Sequence, residues 1–131
     1  ADYGAMQRMM KNAPDNLIIT GVIPLDDVRD YYVAADIFVL PSVQENHPMC
    51  VLEAAGAGLP IVLRDIPQYD DTFKGDAIMA KTDDEFLNLI DMLHQDKQAY
   101  SEAQRGAKRI AKKFDSSAGA ERLVEFYRSL I

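Results

Sequence analysis

The sequence predicts an α/β domain, an open sheet of parallel strands with helices laid over its faces. Three observations carry this. Short apolar runs that do not alternate with polar residues take turns with stretches whose apolar residues recur at helical spacing. Strands that are apolar throughout are covered on both faces, and helical crossovers between them make them parallel, the arrangement of a doubly wound sheet. The length of 131 residues, 48% hydrophobic and 27% charged, suits one domain with a real core.

Residues 3–12 read as a helix, with Tyr3, Met6, Met9 and Met10 at helical spacing. These methionines fill core or form a soft binding surface. Residues 16–20, Asn-Leu-Ile-Ile-Thr, are the first β-like run, and Gly21 ends it. After Pro24 a helix covers about 25–35, with Asp26 and Asp27 near its positive end. Residues 36–40 are the second strand, stopped by Pro41 and Ser42. A helix over 48–56 has proline at its start and glycines near its end, the usual asymmetry. Residues 60–64 form the third strand, 68–73 a short helix and 76–80 a fourth strand. Thr82-Asp83-Asp84-Glu85 has the form of a capping box, after which Phe86, Leu89, Ile90 and Leu93 share one face. A helix over 97–114 aligns Tyr100, Ala103, Ala107, Ile110 and Phe114. Beyond Asp115-Ser116-Ser117 a last helix turns Leu123, Phe126, Tyr127 and Leu130 inward. Residues 82–131 thus form a helical tail on a domain spanning 1–131.

Net charge is −7, from 14 basic and 21 acidic residues, which argues against nucleic acid as a partner. Residues 1–95 hold 6 basic and 16 acidic side chains, whereas 96–131 hold 8 and 5. The basic stretch with Lys108, Arg109, Lys112 and Lys113 is a solvated helix face, or a surface for an anionic membrane or partner domain. A lone cysteine, Cys50, excludes an intrachain disulfide and points to a reducing, cytoplasmic setting. No run reaches the ~18 apolar residues of a membrane span. The first residues have no signal-peptide pattern. The chain begins with Ala1 rather than Met, which hints at a piece of a longer protein.

Ligands of open α/β sheets sit beyond the carboxyl ends of the strands. The predicted ends are Thr20-Gly21, Pro41-Ser42, Arg64-Asp65 and Ala80-Lys81. The richest loop, 41–49, runs into the helix that carries Glu53, and it holds Glu45. Backbone amides at the start of that helix suit a phosphate or diphosphate, although Pro48 has none to give. Carboxylates accept hydrogen bonds from paired hydroxyls. An anion site flanked by two such acids fits a nucleotide sugar, while either acid alone is equally at home in solvent. The pairs Asp26-Asp27, Asp70-Asp71 and Asp83-Asp84 sit at or near predicted helix starts, which explains them without a metal. Cys50 reads as a buried thiol rather than a nucleophile, and His94 as structural.

The run Ala35-Asp36-Ile37-Phe38-Val39-Leu40-Pro41-Ser42, followed by Glu45, Glu53-Ala54 and Gly58-Leu59-Pro60-Ile61-Val62, closely resembles the retaining GT-B glycosyltransferases of family GT4, group 1. Their mark is an acid, seven residues, a second acid with a small-residue helix, and a Gly-x-Pro lead into a strand. The resemblance covers about residues 16–66. The stretch 45–53 is most similar to bacterial glycolipid glucosyltransferases. It implies a Rossmann-like C-terminal GT-B domain, truncated on its N-terminal side. Glu45 would be the catalytic residue, binding donor-sugar hydroxyls near C3 and C4. Glu53 would accept hydrogen bonds from the ribose. The amides of His47, Met49 and Cys50, flanked by Asn46, Pro48 and Val51, would meet sugar and diphosphate. Gly21 and Val22 would border the base, usually uracil. Asn46 replaces the common glycine, and asparagine tolerates a left-handed turn. His47 either touches the sugar or is a plain loop residue.

The resemblance further implies transfer from a UDP-sugar with retention, foremost of glucose, with no cofactor and no metal in the site. The acceptor, a lipid or saccharide, would bind an N-terminal domain absent from this sequence, so the chain alone is expected to be inactive. The longer protein would be cytoplasmic or peripheral at the inner face of the membrane. The family's diphosphate-gripping Arg and Lys lie upstream; Arg64 is in the right region but does not match their motif. The alternative is a non-enzymatic α/β nucleotide-binding or regulatory module. A receiver-like domain, though, needs acids clustered at strand ends, where only Asp65 stands.

Overall fold

A computed structural model describes residues 7, 8, 10–117 and 128. Gln7, Arg8, Met10 and Lys11 are helical, as predicted. Tyr3, Met6, Met9 and the inward face of the last predicted helix lie outside the described residues. The elements run α1 (Leu25–Ala34), β1 (Phe38–Leu40), α2 (Met49–Gly56), β2 (Ile61–Arg64), a 3-10 helix (Pro67–Tyr69), β3 (Ile78–Ala80), α3 (Asp83–Gln95) and α4 (Lys97–Lys113).

The three strands are parallel in the order β1-β2-β3, and Val62 pairs with Val39 on one side and Ile78 on the other. Successive side chains of a strand face opposite ways. Ile61 and Leu63 therefore enter one core with Val51 and Ala54 of α2 and Ala107 and Ile110 of α4. Val62 enters a second core with Phe86 and Leu93 of α3 and Ala103 of α4. This two-sided cover is what the unbroken apolar runs predicted. Because α4 contributes to both cores, it wraps the sheet rather than lying on one face.

α4 also comes close to the backbone before β3 at a glycine. A Cβ on Gly106 would lie 2.0 Å from the carbonyl oxygen of Asp76, in the turn before β3. Beside it Arg109 Nε donates to Asp76 Oδ1 at 2.7 Å. The basic stretch is thereby divided. Lys113 Nζ donates to the carbonyls of Asp71 and Thr72 at 3.0 and 3.1 Å, while Lys108 and Lys112 remain exposed.

Several expectations need correction. The run 16–20 leaves a turn, closed by the Leu17 amide on the Pro14 carbonyl at 2.9 Å, and joins no sheet among the described residues; Ile18 is 83% exposed. Strand formation depends on a paired and buried partner more than on the residues themselves, and this run has neither. Thr20-Gly21 is therefore not a strand end. The helix expected over 68–73 shrinks to one 3-10 turn followed by tight turns, in which the Tyr69 carbonyl gathers the amides of Thr72, Phe73 and Lys74 instead of passing the bonds on along a helix. Asp70 follows that turn instead of opening it, and pairs with Lys74 Nζ at 2.8 Å. The capping box is offset: Thr82 Oγ1 accepts the Glu85 amide at 3.2 Å, but Glu85 Oε2 accepts the amide of Lys81 at 2.6 Å. Asp96, unremarked in the sequence, caps α4 by accepting the amides of Gln98 and Ala99 at 2.8 and 3.0 Å.

Candidate functional site

The loop from β1 to α2 runs over the carboxyl edge of the sheet and ends at Pro48, a buried residue with extended backbone that opens the helix. No side-chain oxygen caps α2. Its first turn therefore faces the loop with backbone amides and the positive end of the helix dipole. The Cys50 thiol lies at this end. Burial raises its pKa, outweighing the downward pull of the Val51 and Cys50 amides, and the charges of Glu45 and Glu53 raise it further. Such a thiol is not activated for attack.

Glu45 is half-buried in the loop, and Glu53 is exposed on α2. Glu53 Oε2 accepts a hydrogen bond of 2.9 Å from the Tyr32 hydroxyl of α1. The two residues line an open cleft of about 500 Å³ between α1 and α2, with Leu25, Val28, Arg29 and Gly56. Glu45 and Glu53 thus both lie close enough to Cys50 for their charges to act on its thiol, while of the two acids Glu53 lines the cleft. Asn46 and Met49 are exposed beside them. No described non-glycine residue has positive φ, so Asn46 does not use the left-handed turn for which asparagine is suited. Gly21 does take φ +67°, and Val22 beyond it is fully exposed on the lead into α1.

His47 is fastened from below. Its ring stacks on Phe73 with centroids 5.9 Å apart and planes at 19°, and leans on Phe114 at 5.4 Å. Tyr69 continues the cluster, edge-on to Phe73 at 5.3 Å. The residue is 1% exposed, and its hydroxyl has no hydrogen-bond partner among the described residues. None of these aromatics stood out as site-related in the sequence, because each reads locally as core.

Arg64 is committed to the protein. Its Nε donates to the Pro41 carbonyl at 3.3 Å, Nη1 to the Lys81 carbonyl at 3.1 Å and Nη2 to Asp83 Oδ1 at 2.5 Å. The guanidinium also lies 4.9 Å from the centroid of the Phe86 ring. One cation at the end of β2 thus ties down the chain just after β1 and just after β3. A diphosphate would have to displace these partners to use it. Among the described residues, no three His, Cys, Asp or Glu side chains gather to hold a metal ion.

The phenols of Tyr32 and Tyr69 are each pushed up from 10.0 to about 12. Burial is the main cause for both. The hydrogen bond and charge of Glu53 add to it at Tyr32, and Glu45 and Cys50 at Tyr69. A folded-state pKa raised in this way gives stability that is whole below about pH 10 and is lost as pH climbs through about 12. Urea midpoints are expected to fall across that window, and the fall to shallow in Tyr69→Phe. A flat wild-type profile from pH 10 to 12 would refute this.

The family model described as Glycosyl transferases group 1 matches residues 2–96. This chain belongs to that family. The group 1 domain is 30% identical over 125 residues to the "Alpha-galactosylglucosyldiacylglycerol synthase" of Streptococcus pneumoniae, covering 95% of this chain and 33% of that protein. It is 33% identical over 94 residues to the "Processive diacylglycerol alpha-glucosyltransferase" of Acholeplasma laidlawii, covering 70% and 28%. The chain therefore spans about a third or less of the length of these relatives. A chain in the "Crystal structure of GtfA/B complex" has the same fold, with a TM-score of 0.73, 18% identity, and coverage of 98% of this chain and 28% of that one. The α/β, Rossmann-like fold and the group 1 GT-B membership expected from the motif both hold. The strand ends of the group 1 domain, at Leu40, Arg64 and Ala80, offer no acidic cluster of the receiver kind.

Proposed function

We propose that this chain is the donor-binding part of a retaining glycosyltransferase that moves a hexose, foremost glucose, from a UDP-sugar to a lipid or saccharide acceptor. The observation that carries the reading is the placement of Glu53. It is the second acid of the family motif, and it lines the cleft between α1 and α2 already held by a hydrogen bond. In this reading Glu53 accepts the ribose hydroxyls, and Glu45 in the preceding loop holds and orients the sugar. His47, Pro48, Met49, Cys50 and Val51 surround the diphosphate at the start of α2, where amides and helix dipole offset the charge that builds on the leaving group. Asn46 lies beside the sugar, and Gly21 and Val22 border the base.

Glu45 acts by positioning and not as a covalent nucleophile. Retention comes from a reaction on one face of the sugar, in which the leaving phosphate oxygen takes the acceptor proton. No metal enters this scheme. Both relatives carry a diacylglycerol lipid in their names, which supports a lipid acceptor; in this reading the longer protein works at the inner face of a membrane. No helix among the described residues is long and apolar enough to cross one.

Calorimetric titration of the chain with UDP and UDP-glucose tests the reading. The wild type is expected to bind both, and Glu53→Ala to bind at least about tenfold more weakly, the value of a hydrogen bond to a charged group. Absence of nucleotide binding by the wild type would instead favour a scaffold without a ligand.

A further inference from the structure

Glu53 is exposed on α2, but it is not left to its own rotamers. Tyr32, 21 positions earlier in the chain, reaches across from α1 and donates its hydroxyl to Oε2 at 2.9 Å. The Tyr32 ring is braced in turn. It lies 6.1 Å from the Phe38 ring of β1, with planes at 49°, and packs against the core that holds α2. The sheet thus fixes the ring, the ring fixes the hydroxyl, and the hydroxyl fixes one carboxylate oxygen.

The remaining valences suit a ligand. An ionised carboxylate has about four acceptor positions on its two oxygens. The phenol occupies one on Oε2, leaving Oε1 and a further position on Oε2 for donors in the cleft. The phenol keeps its proton throughout the neutral range, since its pKa stands at about 12. With that proton directed at Glu53, the phenol oxygen is itself an acceptor beside the carboxylate.

We propose that Tyr32 is a positioning residue that holds Glu53 in the rotamer receiving two adjacent hydroxyls, so that the site selects a ribonucleotide over its 2′-deoxy counterpart. This rests on the donor-binding reading above. Tyr32 acts through Glu53, and its effect falls on discrimination at the ribose rather than on affinity in general.

Tyr32→Phe keeps the ring and its contact with Phe38 and removes only the hydroxyl. UDP and 2′-deoxy-UDP are titrated into the wild type, Tyr32→Phe, Glu53→Gln and the double variant, with thermal midpoints confirming that each folds. Tyr32→Phe is expected to weaken UDP about fivefold, equivalent to one ordinary hydrogen bond, and 2′-deoxy-UDP far less. The ratio of the two affinities then collapses. In the Glu53→Gln background the second substitution is expected to add nothing, as for residues acting through one another. A residue with a packing role alone would weaken both nucleotides alike. Unchanged or tighter UDP binding in Tyr32→Phe overturns the inference, because the phenol is then a competitor that ribose displaces. An unchanged ratio, or a full effect of Tyr32→Phe in Glu53→Gln, overturns it as well. A wild type that binds no UDP overturns the donor reading together with the inference. UDP binding lost in Glu53→Gln but kept in Tyr32→Phe overturns the inference alone.

Discussion

Gly106→Ala is expected to destabilise the domain by about 3 kcal/mol or more, at or beyond the top of the usual range for overpacking. The added methyl would lie 2.0 Å from the Asp76 carbonyl oxygen and 3.1 Å from its carbon, and both are backbone atoms that cannot swing aside. Relief requires α4 to lift from the turn before β3. That movement loosens Ala103, Ala107 and Ile110 in their cores and stretches the Arg109–Asp76 pair. The sign is the informative part, because alanine in a helix ordinarily gains about 1 kcal/mol over glycine. Gly56, near the end of α2, supplies the control: a Cβ there meets nothing within 4 Å, so Gly56→Ala is expected to be neutral or stabilising. Urea denaturation of both variants decides the matter. Equal stability of Gly106→Ala and wild type would contradict the close approach.

Phe73→Ala is expected to cost about 3–5 kcal/mol, as for other fully buried aromatics. Phe73 is wholly buried and touches Tyr69, Phe114 and His47. Its loss acts on two levels. The core acquires a cavity, and the loop before α2 loses the ring on which His47 stacks. Nucleotide affinity is therefore expected to fall alongside stability, even where the variant remains folded. Phe73→Leu fills most of the volume and is expected to lose far less stability. Denaturant midpoints give the first effect. NMR shifts of the His47 ring protons, which feel the ring current of Phe73, report the second. A His47 signal unmoved in Phe73→Ala would refute the coupling.

What the sequence made legible follows from what is local. The start of α3 and both ends of α4 are legible to within a residue, because a cap or an apolar face repeating at helical spacing marks them. The apolar runs around β1, β2 and β3 located the strands, although the pairing shortened them. Glu45 and Glu53 stood out through motif spacing. The run 16–20 failed because its composition specifies a wish for burial, while a strand also needs an edge to pair with. Tyr32 was invisible for a different reason: its hydroxyl meets Glu53 only once α1 and α2 have packed. Gly106 gave no signal either, since its constraint comes from Asp76, thirty positions earlier. Asp96, by contrast, carries a local signal, being an acid directly ahead of a helical pattern.

α4 closes both hydrophobic cores, with Ala103 on one side of the sheet and Ala107 and Ile110 on the other. The two sides consequently have no seam between them along which one could melt while the other stood. Amides of α4 and β2 are therefore expected to exchange with solvent through the same opening. The loop before α2 hangs from this platform by the His47 ring and the Arg64 contact at Pro41. Loosening of that platform is therefore expected to reach the loop through these two contacts, so the loop keeps its place only while the sheet beneath it stays in register.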